Sequence, residues 1–317
     1  MSPALAAIPK PRAQGSIGVA IVGFGTAGHQ HLSALSQVDQ LEAVAFVEEG
    51  APGEAELPRA SLEQVLASPA IGLVAVCVPP GSRPLVMREV IHAGKSMVVE
   101  KPAFGRLADL DATDRAAAEA GSVVGVMHQH RFALPGAVER LRWSGRARAS
   151  LVVSRPRRDE WFTGWRADPS QSLGGITAHL GVHYLDLACQ LLGEPVAVEV
   201  MCRRDRAPGV DSRMELTVQF EAGAVLRAVV TGDSDHRCER LLVADQGQKV
   251  DVLDGQVRLR VGARSSRWPA RSAAALRAEV YREVASACGG ATGPLMCGLA
   301  RTRGVTAILE RLYGDRA

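Results

Sequence analysis

Between residues 17 and 127 five short runs of β-branched and other apolar residues, at 17–22, 41–47, 73–78, 97–99 and 123–127, alternate with amphipathic stretches at 27–36, 62–67, 83–93 and 107–120. A strand covered on both faces reads as a continuous apolar run rather than an alternation, so this rhythm predicts a parallel sheet with helices on each side. After Phe132 the rhythm changes. A helix near 134–143 and a strand near 149–154 precede a polar loop rich in arginine and tryptophan, and a further helix opens after Gly175. The runs at 196–202, 214–220, 225–230, 241–244, 250–253 and 257–261 then follow with no long helix between them, the pattern of an antiparallel sheet. Helices near 273–288 and 299–313 complete the expected elements.

Composition excludes several classes of function. With 317 residues, 47% of them hydrophobic, the chain has ample material for two domain cores. A net charge of +3 spread along the chain makes neither a nucleic-acid surface nor an anionic-membrane surface. No apolar run approaches the ~18 residues of a membrane-spanning helix. Residues 1–16 mix Pro3, Pro9, Lys10 and Arg12 with alanine and read as a loose cytosolic arm. Six irregularly spaced cysteines with no CxxC pair predict reduced thiols in a cytoplasmic protein. Only Lys10, Lys95, Lys101 and Lys249 of the 37 basic residues are lysines, so each lysine is worth placing.

Gly23-Phe24-Gly25-Thr26-Ala27-Gly28 sits where the first strand turns into the first helix. There a GxGxxG lets the backbone approach a pyrophosphate at a helix N-terminus. Glu48 ends the second strand about 20 residues further on, where a carboxylate accepts hydrogen bonds from an adenosine ribose. Glu48 and Glu49 would repel a 2′-phosphate, and no arginine follows them immediately, which favours NAD over NADP. Pro79-Pro80 and Glu100-Lys101-Pro102 end later strands at the same carboxyl edge, where ligands of open α/β sheets lie. The expected organisation is an arm (1–16), an α/β Rossmann domain with a doubly wound parallel sheet (17–132), and an α+β domain with an open antiparallel sheet (133–317) for substrate binding and self-association.

His179, His183 and Asp186 stand at i, i+4 and i+7 on the helix after Gly175, a polar stripe amid leucine and valine. Satisfied core histidines and acid–base chemistry both account for such a stripe. The His179/His183 spacing also suits a metal, with His128 and His130 as further ligands, but no carboxylate or cysteine of suitable spacing completes a set and no metal is expected. Arg131, Arg155, Arg157, Arg158 and Arg166 form either a clamp for a substrate carboxylate or phosphate or a solvated basic loop. Trp161, Phe162 and Trp165 either wall a pocket or anchor that loop.

The stretches GFGTAGHQH at 23–31, VEKP at 99–102, Arg131-Phe132 and WRADPSQSLGGITAHLGVHYLDL at 165–187 together resemble the Gfo/Idh/MocA oxidoreductases over nearly the whole chain. The resemblance implies hydride exchange between NAD(P) and a hydroxyl of a sugar, cyclitol or related small molecule. It makes His183 the catalytic histidine and Lys101 the lysine that meets substrate hydroxyl and cofactor. It also places Trp165 and Arg166 near the nicotinamide and its phosphates, and implies a homodimer or homotetramer. Two positions depart from the family pattern. His179 stands where many members have Asp or Asn, and Arg83 where many have a histidine. Two alternatives therefore stay open: an NAD-using lyase or glycosidase without net redox change, and a catalytically silent dinucleotide-binding sensor.

Overall fold

A computed structural model describes residues 8–48 and 57–314. The chain divides into two compact units, one comprising residues up to Ala103, Ala108–Gln129 and Ser272–Leu299, the other Phe104–Leu107, His130–Arg271 and the residues from Ala300.

In the first unit β1 (Ile17–Val22), α1 (Thr26–Leu35), β2 (Leu41–Val47), α2 (Leu62–Ala67), β3 (Leu73–Val76), α3 (Arg83–His92), β4 (Ser96–Val99), α4 (Leu107–Ala120) and β5 (Val124–Val126) follow in order. The strands pair in parallel in the order β2-β1-β3-β4-β5. Leu73–Val76 and Met97–Val99 are completely buried, the burial on both faces that their continuous apolar runs predict. Ser61 starts α2 with a capping box, its hydroxyl accepting from Gln64 N while Gln64 Oε1 accepts from Ser61 N. Lys95, one of the four lysines, donates to the carbonyls of Ser68 and Ile71, both at 2.8 Å, and is a structural tie.

The second unit holds α5 (Gly136–Glu139), β6 (Arg148–Ser154), α6 (Pro169–Ser172), α7 (Val182–Leu192), β7 (Pro195–Ala207), β8 (Val210–Phe220), β9 (Val225–Thr231), β10 (Cys238–Asp245), β11 (Gln248–Leu253), β12 (Gln256–Val261) and β13 (Arg264–Trp268). Its sheet runs β13-β12-β11-β10-β6-β9-β8-β7, antiparallel except where β6 lies parallel to β9. One face forms a core with α7 and the last helix, α9 (Arg303–Tyr313); Val152 of β6 points away from it, and Val196, Val200 and Met201 of the edge strand β7 are exposed.

Three expectations differ from this architecture. The helix near 134–143 is reduced to Gly136–Glu139, because the Asp245 carboxylate captures Ser144 through both its N–H (2.6 Å) and its hydroxyl (3.0 Å). Strand β13 went unpredicted because an edge strand wet on both sides needs no apolar alternation, and RSSRW has none. Helix α8 (Ala273–Cys288) belongs to the first unit, although 133–317 was expected to form one domain. Its apolar stripe is legible in sequence; what it covers is not. Gly125 of β5 leaves room for Val284 of α8, and Val126 N–H bonds the Cys297 carbonyl at 2.8 Å.

A Cβ at Gly125 would lie 2.6 Å from a Val284 methyl and 3.1 Å from Cys297 Sγ. Gly125→Ala should therefore destabilise the protein by about 1–3 kcal/mol through overpacking, read as a lowered thermal midpoint, with Gly289→Ala of the surface, where an added Cβ meets nothing closer than 3.4 Å, as the milder control. An unchanged midpoint would show that α8 is not packed on β5.

Candidate active site

β1 ends at Val22 and the chain reverses through Gly23, whose φ of +90° suits glycine and whose Cβ would lie 2.8 Å from the Cys77 carbonyl carbon. A Cβ at Gly28 would stand 2.5 Å from the Gly23 oxygen. Packing inside the unit thus explains both glycines. It does not explain Gly25, where an added Cβ meets nothing within 4 Å. The space beside Gly25 is open, and Thr26 and Ala27 begin α1 there with no side-chain cap at its N-terminus. Phe24 N–H donates to Glu48 Oε2 at 2.7 Å, and the Phe24 ring stacks on Phe46 at 4.4 Å. Uncapped helix N–H groups beside a cradle without side chains, next to a carboxylate, match a dinucleotide's pyrophosphate and ribose. The donor set fits the cofactor. Glu49 lies outside the described residues.

Sequence reasoning missed Arg59. The segment Pro58–Ala60 runs along β2, with Phe46 N–H bonding Pro58 O and Ala60 N–H bonding Phe46 O, and the Arg59 guanidinium donates to the Glu48 carbonyl. Eleven residues separate Arg59 from Glu48, so only the return of the chain along β2 brings a cation to the cofactor end.

Pro79 and Pro80 lead into a single 3-10 turn, Pro80–Ser82. Arg83 is buried; its Nε donates to Val78 O at 2.9 Å and a terminal nitrogen donates to Pro102 O. It joins the Pro79-Pro80 turn to the turn after Lys101 while burial pulls its pKa down to about 10. Just before Lys101, the buried Glu100 accepts from His31 Nε2 at 3.0 Å and from Lys101 N–H at 3.0 Å, and His31 Nδ1 lies 2.5 Å from the Tyr281 hydroxyl. Burial alone would raise the Glu100 carboxyl; the His31 hydrogen bond and the charges of Lys101, His31 and Arg277 outweigh it and hold Glu100 below the usual carboxylate range. Lys101 itself is half-buried. His31 is thus a partner of the carboxylate beside Lys101.

In the second unit the turn Gly174-Gly175 leads into a π turn, Thr177–Gly181, and then α7. Asp211 on β8 anchors that start: its oxygens accept from Gly175 N (2.8 Å), Thr177 N (3.0 Å), Thr177 Oγ1 (2.7 Å) and the Tyr313 hydroxyl (2.6 Å). A side chain at Gly175 would collide with the Asp211 backbone. The π turn widens the helix at His179, so the regular i, i+4, i+7 stripe expected for His179, His183 and Asp186 is interrupted at its first member. His179 is buried between the edges of Trp161 (5.8 Å) and Trp165 (5.4 Å), and His183 is half-buried with its ring 4.3 Å from that of His130.

Two of the expected substrate-binding arginines are held by carboxylates. Arg131 is fully buried, with Nε and a terminal nitrogen on the two Asp186 oxygens (2.8 and 2.6 Å) and a further bond to the Arg301 carbonyl (2.9 Å). It is part of the frame of its unit rather than a substrate-facing group, because no part of its side chain reaches solvent. Arg155 pairs with Glu239 at 2.8 Å. Arg166 stacks over Trp165 at 4.5 Å and over Trp161 at 5.2 Å. Among the described residues no group of three or more His, Cys, Asp or Glu side chains is placed to hold a metal, and no helix is long and apolar enough to cross a membrane. The six cysteines form no disulfide, and burial pushes the Cys77 and Cys189 thiols up.

The family described as "Oxidoreductase family, NAD-binding Rossmann fold" matches residues 17–128, and the GFO/IDH/MocA C-terminal domain matches residues 120–248. The chain belongs to the Gfo/Idh/MocA oxidoreductases. It is 31% identical over 186 residues to scyllo-inositol 2-dehydrogenase (NADP(+)) IolW of Bacillus subtilis (strain 168), a match covering 55% of this chain and 49% of that protein. It is 29% identical over 122 residues to 4-carboxy-2-hydroxymuconate-6-semialdehyde dehydrogenase of Sphingobium sp. (strain NBRC 103272 / SYK-6), covering 36% and 39%. The chain thus spans about half the length, or less, of these curated relatives. The same fold occurs in the aldose-aldose oxidoreductase of Caulobacter crescentus solved with glycerol (TM-score 0.79, 21% identity, 94% of this chain and 97% of that one). It occurs again in the WlbA dehydrogenase of Bordetella pertussis solved with NADH and UDP-GlcNAcA (TM-score 0.76, 20% identity, 96% of each chain).

The depressed Glu100 carboxyl makes a testable contribution. A carboxyl whose folded pKa lies below its unfolded value of about 4.3 stabilises at neutral pH, and that contribution is lost as pH falls through the folded value. Thermal unfolding of Glu100→Gln should therefore lie below wild type at pH 7, and the gap should close below about pH 4. A gap that widens on acidification would contradict the His31–Glu100 arrangement.

Proposed function

We propose that the protein is a nicotinamide-dependent dehydrogenase or reductase, with NAD preferred over NADP. It acts on a secondary hydroxyl or keto group of a sugar, cyclitol or related small molecule, phosphorylated or nucleotide-linked ones included. The observation that carries the reading is the open cradle at Gly25 with Glu48 beside it, in a chain of this family. The inositol and sugar-related names of the relatives support the substrate class.

When bound, the nicotinamide supplies the redox chemistry. Gly23, Phe24, Gly25, Thr26, Ala27 and Gly28 give it backbone and helix N-terminus, and Glu48 takes the adenosine ribose. Pro79, Pro80 and Glu100 shape the carboxyl edge of the sheet, and Trp165 and Arg166 serve the nicotinamide end. In the oxidative direction His183 takes the hydroxyl proton, as a neutral imidazole can, and the Lys101 ammonium stabilises the developing alkoxide. His179 shares that proton or binds a second hydroxyl. The carboxylate of Glu48 supports NAD, since it would repel a 2′-phosphate; Arg59 is the cation through which NADP would gain.

The test is tryptophan fluorescence with NADH and NADPH followed by turnover on polyols and sugars. Wild type should bind NADH more tightly than NADPH, and Glu48→Ala should weaken NADH. His183→Ala should keep NADH affinity and lose about 10²–10⁴-fold in turnover. Failure to bind either nucleotide, or a His183→Ala variant of normal turnover, would overturn the assignment. Substrate conversion with no net change in NADH would point instead to the lyase reading.

We propose further that the protein works in the cytoplasm as a homodimer or homotetramer with a small-molecule substrate and neither nucleic acid nor membrane as partner. The exposed apolar residues Val152 of β6 and Val196, Val200 and Met201 of the edge strand β7 support self-association. Light scattering should give a multiple of the 33.6 kDa chain mass, and Met201→Asp should reduce it; a monomeric wild type would rule this out.

A further inference from the structure

β6 alternates, with Ala149, Leu151 and Val153 turned into the core of the second unit and Arg148, Ser150 and Val152 away from it. The alternation continues beyond the strand. Arg155 N–H bonds Thr231 O and Arg157 N–H bonds Gly232 O, both at 3.0 Å, so Arg155 and Arg157 fall on the same face as the three core residues. This separates them from a solvated basic loop: their side chains are drawn along the covered face and are half-buried. Arg155 and Arg237 share one carboxylate, Glu239, at 2.8 and 3.1 Å. Arg157 and Arg166 have none among the described residues. Both stand over the Trp161 ring, at 5.9 and 5.2 Å, and Trp161 in turn meets His179 edge to face. Arg157 Nε is buried without a hydrogen-bond partner, and its own nearest bond is from a terminal nitrogen to the Pro156 carbonyl. Burial, and then the charges of Arg155, Arg166 and Arg237, weaken its hold on its proton; only Glu239 opposes them.

Two partly desolvated guanidiniums gathered on one indole without a counter-ion repel each other and lack part of their hydration, a cost that a bound anion removes. Guanidinium forks match the oxygens of carboxylate and phosphate. We propose that Arg157, beside Arg166 of the nicotinamide end, forms a subsite for an oxyanion, a carboxylate or phosphate group carried by the substrate, next to His179 just before α7. This rests on the dehydrogenase reading and narrows its substrate class to acids or phosphates of sugars and cyclitols. Trp161 is the shared platform, and its stacking keeps the guanidinium planes in place while the anion enters.

The dinucleotide's pyrophosphate is the other source of the same chemistry, and the test separates the two. Tryptophan fluorescence of the NADH-loaded protein is titrated with inorganic phosphate in wild type, Arg157→Gln, Arg157→Lys and the exposed Arg158→Gln. The expected result is saturable phosphate binding in wild type that weakens about tenfold in Arg157→Gln and less in Arg157→Lys. Arg158→Gln should leave it unchanged, and NADH affinity should stay within about twofold throughout. In turnover, glucuronate and inositol phosphate should surpass glucose and inositol, and Arg157→Gln should erase that preference through KM. Absence of saturable phosphate binding, phosphate binding abolished by NADH, or an unchanged preference in Arg157→Gln would each overturn the subsite. Phosphate binding by a protein that binds no NADH would overturn the dehydrogenase reading while leaving the anion subsite in place.

Discussion

Asp211 is fully buried, and a carboxylate removed from water is stable only where donors surround it. Its four donors come from Gly175, Thr177 and Tyr313, so meeting that demand draws the start of the His179 helix and the end of α9 onto strand β8. The Tyr313 hydroxyl is held protonated by its burial and by the adjoining charge, which keeps it a donor. The same constraint recurs twice. Asp186 takes both forks of Arg131 in the second unit, and Glu100 takes His31 and the Lys101 N–H in the first. In each case a buried charge fixes an element that also carries a candidate functional side chain.

Within each unit these carboxylates hold in place the elements that carry the candidate site residues. Lys101 follows directly on a carboxylate tied to a histidine and a tyrosine, so its backbone is placed before any ligand arrives. Arg83 closes the same turn from the other side. Preorganised groups stabilise charge at a reacting centre without reorganising during the reaction, which is the condition the proposed alkoxide stabilisation requires. Arg83, which stands where many family members have a histidine, is therefore a structural tie between two turns.

Most of the fold was legible in the sequence. The continuous apolar runs of the first unit are buried on both faces as parallel strands must be, and the glycine turn stands where its spacing puts it. The misses have local causes. Ser144 is captured by a side chain 101 residues away, β13 is an edge strand with no apolar code, and α8 is claimed by a glycine surface on β5 that no helix pattern announces. Among the candidate site residues, Gly25 and Glu48 stand out by spacing, because a strand–turn–helix fixes where a glycine turn and a strand-end carboxylate fall, whereas Lys101 and His183 are singled out by the family resemblance.

What the sequence by itself determined was the order of elements and the chemistry at their ends, because periodicity of 2 or 3.6 and turn glycines are local properties. Tertiary structure alone decided which polar groups are spent on one another. Arg131 and Arg155 look like Arg157 and Arg166 along the chain; only the folded molecule hands Asp186 and Glu239 to the first pair and leaves the second pair stacked on Trp161. Partnership of that kind depends on distances between residues far apart in sequence, and neither composition nor spacing encodes them.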